Sequence, residues 1–240
     1  MLRNRFAWKL APVFALALGF AAPARAELIT NGNFESVTGS FGAGQKKQFN
    51  AAIPTGWTVN NASRLNFICA PGTADNSSLY LAVYGPFPTT SPVGGNFIMS
   101  DGDPSYSSAF YQDISGLTVG QQYQLTFYQA AGQQLNFKGA TTERWDVTFG
   151  TQTQSSRTYN LPEGGVGAWE QVSMTFTAAS ATQRLSFLAV GTPGGAPPIS
   201  FLDGVSMNAV PEPSTVVMVG LGLAGLVGVG IRRRARNAGA

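Results

Sequence analysis

Asp101 and Asp103, one residue apart in Asp101-Gly102-Asp103-Pro104, are the closest pair of carboxylates in this chain. Acids at that spacing can share a cation or orient a sugar hydroxyl. Asp and Gly also favour turns, so a plain turn is the other reading. Breaking a glycosidic bond needs two carboxyls roughly 5–10 Å apart with one kept protonated, and adjacent loop acids suit that poorly. A second group mixes rings with amides. Tyr128 and Gln129 close an alternating segment, with Gln133, Gln134 and Trp145 shortly after. A ring gives a sugar a flat apolar surface, and an amide bonds its hydroxyls. Tyr128 lies on the polar side of its segment and is the best single candidate, although an edge tyrosine needs no ligand to explain it. Trp145 and Trp57 read as core, and Trp169, after Gly164-Gly165-Val166-Gly167, reads as loop-exposed.

What is missing narrows the chemistry. The chain has no histidine and one cysteine, Cys69. This removes Ser-His-Asp and Cys-His activation, and the usual histidine-rich zinc and iron sites. No disulfide can form within the chain. Cys69 ends the apolar run Leu65-Asn66-Phe67-Ile68-Cys69 and reads as a small buried hydrophobe, with an intermolecular disulfide or reactive thiol as the alternative. There is no phosphate-cradling Gly-Lys-Ser/Thr loop, no Cys-x-x-Cys and no HExxH. An enzyme is not expected.

The elements that must position these residues are strands. Charged residues make up 11% of the chain, well below the roughly 25% of an average domain. Period-two alternation puts Tyr123, Leu125 and Phe127 on one side of a segment. The same holds for Trp145, Val147 and Phe149, for Val172, Met174 and Phe176, and for Leu185, Phe187 and Ala189. One apolar side per segment is the pattern of half-buried antiparallel strands. Further apolar segments fall at 57–59, 65–68, 79–83, 97–99, 110–114 and 199–207, and Gly/Pro turns separate them. About ten short strands without a long amphipathic helix predict an all-β, antiparallel two-sheet sandwich over 27–209.

The two ends read as addresses. Arg3, Arg5 and Lys9 lead an apolar stretch at 10–22, then Ala24-Arg25-Ala26 offers small residues for cleavage before Glu27. Residues 1–26 are thus expected to be a secretory signal peptide removed by signal peptidase. At the other end, Val210-Pro211-Glu212-Pro213-Ser214-Thr215 precedes an apolar run at 216–231 and a basic tail at 232–236. Sixteen apolar residues rise about 24 Å as a helix, close to a bilayer core of about 30 Å. The arginines then stay cytoplasmic and the sandwich outside. Most of the basic charge sits in these two ends. Residues 27–209 hold seven basic and eleven acidic side chains, a net −4, so the formal +3 of the whole chain does not point to nucleic acid.

The 210–236 tail resembles the PEP-CTERM sorting signal of Gram-negative bacteria, with its three parts in order. The resemblance implies recognition by an exosortase, cleavage near Pro211-Glu212-Pro213 and residence at the cell surface or in an extracellular, biofilm-type matrix. Within the sandwich, Asn31-Gly32-Asn33-Phe34-Glu35 and Ile53-Pro54-Thr55-Gly56-Trp57 resemble the opening of galactose-binding-like jelly rolls, a fold with many carbohydrate-binding modules. The stretch from Gln112 to Gly120 resembles their mid-domain strand pair, and Phe201-Leu202-Asp203-Gly204-Val205-Ser206-Met207 their closing strand. The resemblance implies a structural calcium on Glu35 and Asp203, though Gly204 stands where relatives often carry a second acid. Backbone hydrogen bonding by those two carboxylates is the alternative. Together these features imply an exported, non-catalytic exopolysaccharide-binding protein. A structural or adhesive surface protein and a polysaccharide hydrolase are the alternatives.

Overall fold

The computed structural model describes residues 27–211, together with 220 and 222. The expected signal peptide at 1–26, the apolar run at 216–231 apart from 220 and 222, the basic tail, Glu212 and Pro213 lie outside the described residues. Among the described residues no helix is long and apolar enough to cross a membrane.

Fourteen strands are present among the described residues: β1 (Val37–Gly39), β2 (Lys46–Gln48), β3 (Ala52–Pro54), β4 (Thr58–Val59), β5 (Asn66–Cys69), β6 (Phe97–Asp101), β7 (Phe110–Ser115), β8 (Gln122–Gln133), β9 (Thr141–Phe149), β10 (Gln152–Ser155), β11 (Tyr159–Leu161), β12 (Val166–Thr177), β13 (Thr182–Thr192) and β14 (Pro198–Ala209). A first sheet runs β10-β9-β13-β7-β4, with β11 also paired to β9. A second runs β12-β8-β14-β6-β5-β2, and β1 with β3 forms a small ribbon. Every pairing is antiparallel. This is the two-sheet sandwich that the alternation predicts.

The inner faces of the two sheets meet in one core. Trp145, Val147, Phe149, Leu185 and Phe187 come from the first sheet, and Ile98, Leu125, Phe127 and Leu202 from the second. Trp145 is fully buried and its indole Nε1 donates to the carbonyl of Phe201 in the facing sheet at 2.9 Å. Trp57 packs 5.5 Å from Phe34 and 5.4 Å from Phe110 between ring centroids, so both predicted core tryptophans are core.

The second sheet is buried on its outer face as well. The segment between β5 and β6 folds back over it. Leu81, Val83 and Phe87 cover Phe67, Cys69, Phe97, Met99, Ile199 and Phe201. Strands buried on both faces read as unbroken apolar runs, and Phe97-Ile98-Met99 and Phe67-Ile68-Cys69 are such runs. The 79–83 segment, expected as a strand, is part of this cover and joins the fold through one isolated bridge, Val83 to Gln134. Its apolar residues serve a packing role without a ladder. Cys69 lies beneath it, fully buried, and burial pushes its thiol up to about 12.

Lys46 of β2 fastens the cover. Its buried ammonium donates to the carbonyls of Thr73 (3.0 Å), Ala74 (3.3 Å) and Leu81 (2.8 Å). On the far side of the sheet, the free edge of β12 meets the edge strand of the other sheet. The Gln152 amide donates to the Thr177 carbonyl at 2.6 Å and accepts the Thr177 N–H at 3.3 Å. Gln154 donates to the Thr175 carbonyl at 2.7 Å.

Candidate functional site

At one end of the second sheet, where β6 stops and β14 begins, several loops converge. The Asp101 N–H donates to the Leu65 carbonyl and the Leu65 N–H to the Tyr106 carbonyl, both at 3.0 Å. Asp103 shapes the loop that carries Tyr106. Its Oδ1 accepts the Ser105 N–H and its Oδ2 accepts the Gly195 N–H from the β13–β14 loop, each at 2.8 Å. These bonds, the one from Ser105 foremost, hold the Asp103 carboxyl below the usual aspartate range.

Asp101 behaves oppositely. It is 1% exposed; Oδ1 accepts the Asp103 N–H at 2.8 Å, and Oδ2 is buried without a hydrogen-bond partner. Burial pushes its carboxyl up to about 7, with the Asp103 N–H opposing and the Asp103 charge adding. The two carboxylates, read either as a pair that shares a ligand or as a plain turn, thus have different environments: Asp103 ties loops, and Asp101 is buried with one oxygen unpartnered.

Asp101 forms part of the wall of a cleft of about 250 Å³, with Tyr80, Leu81, Tyr106, Gln134 and Phe137 among the other lining residues. Tyr80 is 70% exposed and Tyr106 47%, the two most exposed aromatic rings among the described residues. The backbone at the cleft is held out of its ordinary range. Leu81 has φ +58° and Asn136, beside Phe137, has φ +73°. A bulky residue at positive φ costs about 1–3 kcal/mol and persists only where surrounding contacts impose it. At Leu81 the Lys46 ammonium is such a contact.

The other predicted residues do not join this cleft. Tyr128 is half-buried on the outer face of the second sheet, opposite Asp203 and Gln171 in register. Gln129 is buried and donates to Glu170 Oε1 (2.6 Å) and the Arg157 carbonyl (3.1 Å). Gln133 is buried too, donating to the Gly139 carbonyl at 3.0 Å and accepting the Gly164 N–H at 2.8 Å. Both amides tie protein to protein. Trp169 is not loop-exposed: it lies in β12 at a bulge and is half-buried edge-on against Phe87, Phe97 and Phe201. The glycines before it supply the chain reversal into β12, and the apolar outer face of the sheet takes the ring.

Glu35 and Asp203 lie near enough for the charge of Glu35 to help raise the Asp203 carboxyl, which burial, the larger cause, pushes up to about 7. Both Asp203 oxygens accept hydrogen bonds, from the Ser91 hydroxyl at 2.5 Å and the Gly204 N–H at 2.7 Å. Glu35 Oε1 accepts the Asn96 N–H at 2.7 Å. Calcium takes six to eight oxygens. Three of these four carboxylate oxygens accept a hydrogen bond, the backbone-bonded alternative for this pair, and each keeps a second lone pair. Gly95 makes room for Glu35: with φ +69°, a Cβ there would lie 1.7 Å from Glu35 Oε1.

Three functional candidates escaped the sequence reading. Tyr80 and Tyr106 sit in runs without periodicity, and only the fold brings them to Asp101. Glu143 of β9 is 1% exposed with both carboxyl oxygens unpartnered, and burial pushes it up to about 7. Its inward direction was legible, since it alternates with Trp145 and Val147 on the apolar side of its strand.

An antiparallel sandwich with a loop-built end cleft is therefore the class of domain. The HpiC1-like family, described as HpiC1 cyclase, matches residues 26–188, and the chain belongs to that family. Residues 209–234 carry a PEP-CTERM protein-sorting motif, which marks the chain for export to the surface or outside and for exosortase processing. Halomucin of Haloquadratum walsbyi is 25% identical over 202 residues, covering 82% of this chain. The match takes in 2% of halomucin's own length. Among solved structures, the enzymatically active domain of bacteriophage CBA120 tailspike protein 4 is similar at a TM-score of 0.38 and 14% identity, over 77% of this chain and 21% of that one. TmCBM61 in complex with β-1,4-galactotriose is similar at a TM-score of 0.37 and 15% identity, over 77% of this chain and 99% of that one.

Proposed function

We propose that this is an exported, exosortase-processed surface or matrix protein whose sandwich binds extracellular polysaccharide, without cleaving it, at the Asp101 cleft. In this reading residues 1–26 are removed by signal peptidase, and the apolar run at 216–231 anchors the precursor in the inner membrane until the cut near Pro211-Glu212-Pro213. The observation that carries the binding reading is the presence, in the lining of one small cleft, of two exposed tyrosines and a buried aspartate with one unpartnered carboxyl oxygen. Rings give sugar faces an apolar surface, and a site with a few polar groups among apolar walls is the usual form of a small-ligand pocket. The non-catalytic part rests on Asp103, whose carboxyl is turned to Ser105 and Gly195 and so does not serve as the second acid of a hydrolase. Calorimetric titration of the full chain with a polysaccharide panel tests it. Saturable binding lost in Tyr80→Ala and Tyr106→Ala supports the cleft, and binding that survives both substitutions removes it. Alanines at Pro211, Glu212 and Pro213 are expected to leave the tail uncut, read as a higher mass of the cell-associated protein.

A second reading is favoured by one observation together with the family's description. A carboxyl pushed up to about 7 in a cleft lined by Leu65, Leu81 and Phe137 is an acid still partly protonated at neutral pH. Such a group can deliver a proton to a bound substrate as a general acid. In that reading the chain is a ring-forming catalyst with Asp101 as acid. Product formation that disappears in Asp101→Asn would replace the binding reading.

A further inference from the structure

We propose that the Asp101 cleft selects a saccharide bearing a free primary amine, a de-N-acetylated hexosamine unit, over neutral and acidic sugars. This rests on the polysaccharide reading of the same cleft and specifies its ligand class.

Asp101 is the single acidic residue among those that line the cleft, its Oδ2 is buried without a partner, and no lysine or arginine is among the lining residues. Four ion pairs join described residues, Lys138–Glu163, Arg144–Asp146, Arg157–Glu170 and Arg184–Asp113, and neither Asp101 nor Asp103 belongs to any of them. Asp101 therefore has no cationic partner among the lining residues, and a cation bound beside its carboxyl, which burial leaves partly protonated at neutral pH, draws it to the ionised form. A uronate or sulfated sugar would bring a like charge into a poorly solvated place, which the site resists. A neutral hydroxyl can donate one hydrogen bond to Oδ2 but leaves the charge unbalanced. An ammonium does both, since it carries three donors and a positive charge.

The walls fit the same group. Tyr80, Tyr106 and Phe137 line the same cleft as Asp101, and ring faces attract cations. Gln134 lines the cleft beside them and offers a carbonyl oxygen to a second ammonium hydrogen. N-acetylation removes the charge and adds an acetyl group to a cavity of only about 250 Å³.

The test is calorimetry on the full chain in mild detergent at neutral pH and physiological salt. The probes are tetramers of glucosamine, N-acetylglucosamine, glucose and galacturonic acid. The glucosamine tetramer is expected to bind at least about ten-fold more tightly than the others. Asp101→Asn keeps the Oδ1 acceptor for the Asp103 N–H and so retains the loop. It should reduce the preference to within about three-fold while leaving the neutral tetramer bound. Asp146→Asn, an acid on the outer face of the first sheet, should keep the full preference. Equal binding of the glucose tetramer overturns the amine assignment and leaves the polysaccharide reading intact. So does a preference that survives Asp101→Asn, or one equally lost in Asp146→Asn. Binding of none of the four tetramers overturns both readings. The ranking by the unmodified chain stands as a test even where a variant folds poorly.

Discussion

The ammonium of Lys46 donates to the carbonyl of Leu81 at 2.8 Å, and Leu81 is one of four non-glycine residues at positive φ among the described residues. A buried cation on an edge strand thus holds a strained residue at the lip of the cleft. Burial holds the Lys46 pKa below the usual lysine value, with the nearby Cys69 and Asp75 pulling the other way, so the fold accepts an unfavourable charge to fix this loop. Lys46→Met keeps the apolar stem and removes the donor, leaving the Thr73 and Leu81 carbonyls bare. The expected loss is about 2 kcal/mol of stability, with faster amide exchange through 73–87 and weaker ligand binding. Denaturant melts and hydrogen exchange check this. Full exchange protection in the variant would show that the cover holds itself.

The buried acids set a pH dependence. Asp101 and Glu143, with Asp203 as a third, have folded-state values near 7, raised from 3.8, 4.5 and 3.8. The folded state therefore binds more protons than the unfolded chain between about pH 4 and 7. Their stabilising contribution is complete below about pH 4 and is lost as pH rises to 7. With no histidine in the chain, no imidazole titrates across that window. The melting temperature should be higher at pH 5.5 than at pH 8, and Asp101→Asn with Glu143→Gln should flatten the slope. A melting temperature that rises with pH over this range would contradict the burial of both groups.

Gly95→Ala should be costly although the site is a surface turn. The residue has φ +69°, and the added methyl would meet Glu35 Oε1. The expected loss is about 1–3 kcal/mol. Glu35→Ala in the Gly95→Ala background should recover the steric part and leave the backbone part. Thermal melts of the two variants separate these terms, and no recovery would place the whole cost in the backbone.

Chelation should change little. Because the Asp203 oxygens accept from Ser91 and Gly204, and Glu35 from Asn96, EDTA is expected to move the melting temperature by less than about 1 °C. A drop of several degrees, reversed by calcium, would show that these donors give way to the ion.

The sandwich was legible because its signal is local. Tyr123-Leu125-Phe127 and Leu185-Phe187-Ala189 alternate on the scale of the pleat, and burial follows that alternation along β8 and β13. β10 and β11 were not legible, since Gln152–Ser155 is polar throughout and Tyr159–Leu161 is three residues long. Asp101 stood out through its neighbour Asp103, yet their divergence comes first from the burial of Asp101 and the Ser105 N–H at Asp103, with a further bond from Gly195, 92 residues away from Asp103. Tyr80 lay unremarked within the apolar 79–83 segment, and Tyr106 had no local mark. Their meeting at Asp101 depends on Lys46 and the Leu65–Tyr106 bond, which no window of sequence contains. Gln129 and Gln133 were picked by residue type, and type alone does not tell a ligand-binding amide from one that already serves a backbone.

Gln152 and Gln154 give the free edge of β12 an ending made of side chains. Each amide occupies a position that the backbone of another strand would need, so the ladder stops at Thr175 and Thr177. An exported protein meets identical copies outside the cell, and along this edge a neighbouring copy finds side-chain amides where it would need bare backbone groups to add a strand.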